Sequence, residues 1–153
     1  MLKNLKKENK GFTIIEVLIV LAIAGLIMLV VFLAVPALQR NSRNTSYRSE
    51  AAQLLSAASE HSSNNNGNVP VAADSTVIVG LTKNKTITSL TITSGAAATT
   101  PTFSSATLRT GVRCGTLDGT ASHTPVVSST RSVVLIYAIE NSSGAVVAQC
   151  QES

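Results

Sequence analysis

Apolar residues fall into three rhythms along the chain. The first is unbroken: residues 17–38, VLIVLAIAGLIMLVVFLAVPAL, carry no charge. About 20 apolar residues at ~1.5 Å rise each cross a bilayer core as a helix, so this run predicts a membrane span. A secretory signal has a shorter apolar region, about 7–15 residues, followed by a small-residue cleavage site, and "AVPAL" matches such a site poorly. The second rhythm is helical. Past Pro36, the residues Tyr47, Ala51, Leu54, Leu55 and Ala58 recur at spacings of four, three, one and three. They form one apolar helix face, with Arg43, Arg48 and Glu50 off it. The helix is expected to end near Ser62, before the turn-rich "SSNNNGNVP".

After Pro70 the rhythm becomes that of strands. Segments 76–81, 86–93, 107–112, 131–140 and 144–150 are rich in β-branched residues. The last two are joined by Asn141-Ser142-Ser143-Gly144, a hairpin signal. Val133, Leu135, Tyr137 and Ile139 alternate onto one face, expected to cover the helix. Val134 and Ile136 point the other way and call for a shielding loop. Segment 93–107 reads as a low-complexity loop. The fold class is therefore α+β: a long N-terminal transmembrane and amphipathic helix packed on a C-terminal antiparallel β-sheet. Four regions follow: 1–11, 12–38, 39–62 and a globular β-rich 63–153.

Length and composition sharpen this. The 153 residues suit one domain. With three Phe, two Tyr and no Trp, the polar remainder has few large anchors, so it gains from a staple or a partner. Net charge is +4, but Lys3, Lys6, Lys7 and Lys10 precede Gly11 with only Glu8 against them. Without residues 1–11, 12 basic and 8 acidic residues become 8 and 7, a net of +1. The basic excess belongs to the first residues and is no nucleic-acid footprint. Basic residues ahead of the span favour a cytoplasmic N-terminus, while Arg40, Arg43 and Arg48 behind it temper that bias.

Cys114 and Cys150 both lie beyond the span. Outside the cytoplasm a disulfide between them is the expectation, closing a loop worth ~3–4 kcal/mol. Two buried free thiols are the alternative. Their wide spacing, with His61 and His123 isolated, speaks against a metal site. Asp118 and His123 read as solvated surface residues. No catalytic residues, cofactor or enzyme signature emerge. Sequons at Asn44, Asn84 and Asn141 carry little weight here.

Glu16 breaks the pattern, a carboxylate at the head of the apolar run. A charge costs ~2.5–3.5 kcal/mol at the bilayer centre and less near an end. Either it reaches interfacial water or it has a cationic partner. The surrounding residues, "KGFTIIEVLIVLAIAGLI" from 10 to 27, resemble the N-terminal signature of type IV pilins and the related pseudopilins. In that family a basic leader ends in Gly. Prepilin peptidase cuts after it and methylates the new N-terminus, commonly Phe, and a Glu stands fifth in the mature chain. Gly11, Phe12 and Glu16 occupy those places, and Gly25 falls where a small residue is frequent. The resemblance covers about the first thirty residues. Pro36 departs from it, lying three residues beyond the usual proline position, which Leu33 fills here. Any kink is thereby displaced toward the periplasmic side.

The resemblance implies the pilin fold, cleavage between Gly11 and Phe12, and N-methylation of Phe12. It implies polymerisation in which Glu16 pairs with the Phe12 amine of a neighbouring chain and sets the register. The partners it implies are further copies in a helical filament, prepilin peptidase, the assembly platform with its ATPase, and membrane lipid before assembly. DNA or surface ligands stay open as partners. The protein would begin as a single-pass inner-membrane prepilin and end in an extracellular pilus serving adhesion, motility or DNA uptake. In the family a cysteine pair often bounds a variable C-terminal loop, here residues 115–130. Two alternatives remain: a pseudopilin of a type II secretion or competence system, and a single-span anchored binding domain that never polymerises.

Overall fold

A computed structural model describes residues 11–83, 86–117 and 119–153. The leader residues 1–10, the Asn84 sequon and Asp118 lie outside the described residues. The chain divides into two units, the first ending at Leu38 and the second running Gln39–Ser153. Helix α1, Ile14–Asn64, contributes to both.

In the first unit the helical side chains are all exposed. They include one window of mean hydropathy 3.3 with none of its surface buried. By length and composition α1 is able to cross a membrane, and among the described residues it is the one helix that is.

In the second unit α1 buries Tyr47, Ala51, Leu54, Leu55, Ala57 and Ala58. These include every residue of the expected apolar face. The helix ends at Asn64, two residues past the expected place, where Gly67 turns back to donate its N–H to Ser62 O (2.8 Å). Asn66 and Gly67 take positive φ there, which Asn and Gly tolerate.

The strands are β1 (Ser89–Ser94), β2 (Ser105–Thr110), β3 (Val112–Arg113), β4 (Val126–Val127), β5 (Val133–Glu140) and β6 (Val146–Glu152). A four-stranded sheet runs β1-β2-β5-β6, with β1 parallel to β2 and the other pairs antiparallel. Val133, Leu135, Tyr137 and Ile139 join Leu90, Ile92, Ala106 and Leu108 in the core with the helix. The alternation expected for β5 is thus what covers the helix. Tyr47 stacks on Phe103, ring centroids 5.6 Å apart.

Segment 76–81, read as a strand, is instead part of a helix, α2 (Ser75–Leu81). Six residues, four of them β-branched, are too few for periodicity to separate strand from helix. Local chemistry decides. Asp74 turns its carboxylate back onto Val71 N–H (2.8 Å), opening a 3-10 turn at Ala72–Asp74 that runs into α2. Ile78 then fills the core.

Strand boundaries also move: β2 starts at Ser105, two residues before the expected 107, and β5 and β6 start at Val133 and Val146, each two residues after the expected 131 and 144. Segment 86–93 starts its strand only at Ser89, because the Thr86 and Ile87 N–H groups donate to the Glu50 carboxylate (3.0 and 2.8 Å). Segment 107–112 splits at Gly111 (φ 77°): β2 stays in the main sheet, and β3 leaves to pair with β4.

Val134 and Ile136 are fully buried on the far face of the sheet. They lie opposite Arg109 and Thr107 of β2. Arg109 donates from Nε to Thr99 Oγ1 (2.8 Å) and from Nη1 to Gly95 O (2.9 Å). Thr99 pairs backbone to backbone with His123, both bonds 2.9 Å. His123, read as solvated, is therefore buried, at 3% exposure. Its segment is drawn in because Thr99 and Ala148 offer ladder partners, the latter donating to Thr120 O. Among the described residues its Nε2 has no hydrogen-bond partner. Burial pulls the Arg109 guanidinium below the usual arginine range.

Candidate functional site

The first unit opens with a helix start built from two side chains. Thr13 precedes the first helical residue, Ile14, and Glu16 stands three residues after it. Thr13 Oγ1 accepts the Glu16 N–H at 3.3 Å, and Glu16 Oε2 accepts the Thr13 N–H at 2.8 Å. This is a capping box, in which two helix-end donors are satisfied reciprocally. The Thr13 hydroxyl also donates to the same carboxylate oxygen at 2.8 Å. Sequence reasoning singled out Glu16 and missed Thr13. The signal was present: Thr-x-x-Glu ahead of an apolar run is a helix-start signature.

Gly11 and Phe12 lie just before this cap, both exposed, Phe12 at 88%. A side chain added at Gly11 would meet nothing within 4 Å. Beyond Glu16, residues 17–38 hold no polar side chain. The arrangement is thus a capped carboxylate heading a long exposed apolar surface, next to an accessible Gly-Phe peptide bond.

The second unit holds the other residues singled out. Cys114 and Cys150 form a disulfide with Cα atoms 5.8 Å apart. Cys150 lies opposite Ile136 and so shares the far face of the sheet. Glu152 Oε1 accepts the Cys114 N–H at 2.6 Å. Leu117, Val126 and Val127, within the loop the disulfide bounds, are exposed. The disulfide belongs to the second unit, and Gly11, Phe12 and Glu16 belong to the first.

A polar junction in the second unit also escaped the sequence reading. β2 stops pairing with β5 at Ala106↔Tyr137, leaving the backbone of Glu140 without a strand on that side. Asn44 of α1 fills the gap. Its Nδ2 donates to Glu140 O (2.7 Å) and its Oδ1 accepts the Glu140 N–H (2.8 Å). Arg43 grips the Glu140 carboxylate with two bonds, at 2.9 and 2.7 Å. That grip holds the Glu140 carboxyl below the usual carboxylate range and the Arg43 guanidinium above its own. Asn44 is a sequon residue whose amide is engaged at both its nitrogen and its oxygen. Asn141, another, accepts from Ser143 N and Ala145 N and shapes the hairpin with Gly144 (φ 83°).

Residues 6–32 match the family model of the prokaryotic N-terminal methylation motif. No match is found among curated proteins or among solved structures. The chain thus carries the class III signal of type IV pilins ahead of an α+β fold, which supports a type IV pilin-like or pseudopilin-like protein.

Proposed function

We propose that the chain is a structural subunit of a type IV pilus and not an enzyme. Prepilin peptidase cuts between Gly11 and Phe12 and methylates the Phe12 amine. The subunit rests in the cytoplasmic membrane with its N-terminus inside. The assembly platform and its ATPase then add it to an extracellular filament through its N-terminal helix.

One observation carries this reading: the apolar surface of residues 17–38 is wholly exposed and is headed by a single carboxylate. Such a surface needs lipid or like helices around it. A carboxylate in an apolar medium is costly unless paired. The Phe12 amine created by cleavage is a cation about one turn, ~6 Å, from Glu16 along the axis. In a staggered stack the Glu16 of one chain meets the Phe12 amine of the next, which selects one register, as a buried polar residue does in a coiled coil.

The test is mass analysis of the N-terminal peptide of this chain in sheared surface fibres. A methylated Phe12 start in fibres is the expected result. An intact Met1, or a start beyond Leu38, overturns the reading. A Phe12 start in a chain found only in membranes, never in fibres, favours the pseudopilin alternative.

A further inference from the structure

We propose that Thr13 is a positioning residue for assembly, acting through Glu16. It holds one carboxylate oxygen in the helix cap and leaves the other to receive the cation of a neighbouring chain. This rests on the reading of Glu16 as the assembly carboxylate.

Both hydrogen bonds from Thr13 land on the same atom, Glu16 Oε2. Among the described residues Oε1 receives none, and the residue is exposed. A carboxylate has about four acceptor sites, so the cap occupies part of the group and leaves the rest open. Two consequences follow. First, before assembly the carboxylate is not bare in or beside lipid, because two donors of its own chain bond one of its oxygens, and that lowers the cost of holding it there. Second, the cap fixes the direction in which the open oxygen points. Ordering that is already made in the free subunit is not lost again on association.

The groups that build the cap are also untouched by processing. A cut between Gly11 and Phe12 leaves Thr13 as the second residue, with its N–H and hydroxyl intact. From Ile14 to Leu38 no other side chain is a polar acceptor, so the incoming amine has no competing target on this segment.

The experiment uses the full chain with its assembly machinery. Thr13→Val keeps the shape and removes the hydroxyl, and Thr13→Ser restores it. Each is made alone and together with Glu16→Gln. N-terminal peptide mass gives the processed, methylated pool, and fibre yield is expressed per processed subunit. Thr13→Val is expected to lower that yield about twofold to thirtyfold, the range for losing a capping group. Thr13→Ser should stay near wild type. In the Glu16→Gln background Thr13→Val should add nothing, because the two act as one unit.

Wild-type yield from Thr13→Val alongside failure of Glu16→Gln overturns the proposal and leaves the assembly reading intact. Wild-type yield from Glu16→Gln overturns the assembly reading itself. A full additional loss in the double variant shows that Thr13 acts elsewhere and also overturns the proposal. Should Thr13→Val block cleavage, NMR of the processed wild-type chain in detergent micelles decides. A Thr13 amide protected from exchange supports the cap, and an unprotected one removes it.

Discussion

Glu140 shows how much a single position carries at the end of a strand. Its backbone is completed by the Asn44 side chain and its carboxylate by Arg43, so α1 is fixed to β5 by four hydrogen bonds at one residue. The pH dependence has a definite sign. Arg43 holds the Glu140 carboxyl below its ordinary value of 4.5 in the folded chain. The stabilisation is therefore fully present above that ordinary value, and it is lost as pH falls through the lowered folded value. Glu140→Gln removes the titration. Denaturation of the full chain in micelles should show wild type more stable than the variant at neutral pH, with the two converging in acid below pH 4.5. A difference between them that does not change with pH would mean that the ion pair contributes nothing. None of this junction was legible in the sequence. Asn44 and Glu140 are 96 positions apart, and nothing local says that β2 stops short of Glu140.

At the scale of elements, legibility followed the length of the pattern. The long helix and the paired strands β5 and β6 have many periodic positions, and each extra position strengthens the reading. Segment 76–81 has few, and a carboxylate at Asp74 tipped it into a helix. Gly111 divided one apparent strand between two sheets. Glu16 was legible because a lone charge in an apolar run stands out, whereas its partner Thr13 looked ordinary. The cysteines were expected as a pair from their place beyond the span, and the structure joins them. That bond closes β6 onto the start of the loop after β3 across a separation of 36 residues. Chain entropy makes a closure of this size worth ~3–4 kcal/mol. Replacing both cysteines by Ser should lower unfolding free energy by about that amount, read from denaturant midpoints with the slope checked for constancy. Equal stability of the Ser variant and the wild type would show that the loop is held by its ladder bonds at Thr99 and Ala148 and that the disulfide is dispensable.

At the scale of the whole molecule, the two units answer to different surroundings. Residues 17–38 are fully exposed and apolar, and the core lies within Gln39–Ser153. Among the described residues, a fragment beginning at Gln39 therefore keeps every buried one. It also keeps the disulfide and the Asn44–Glu140 junction. What it loses is the helical turn before Gln39, so four backbone N–H groups at the new helix end have no partner. Asn41 and Ser42 are good capping residues close to that end. Fraying should stop there, ahead of Arg43 and Asn44. The cost should be that of one imperfect cap, about 0.5–2 kcal/mol, or a drop of about 4 °C in Tm for each kcal/mol in a domain of this size. The fragment should be soluble without detergent, retain its far-UV circular dichroism and melt cooperatively. It should neither enter membranes nor join fibres, because the apolar surface and Glu16 are gone. Calorimetry and vesicle flotation check the two halves of the prediction separately. An unfolded fragment would mean that the second unit depends on the first. A folded fragment that still floats with vesicles would mean that the membrane-binding surface extends beyond Leu38.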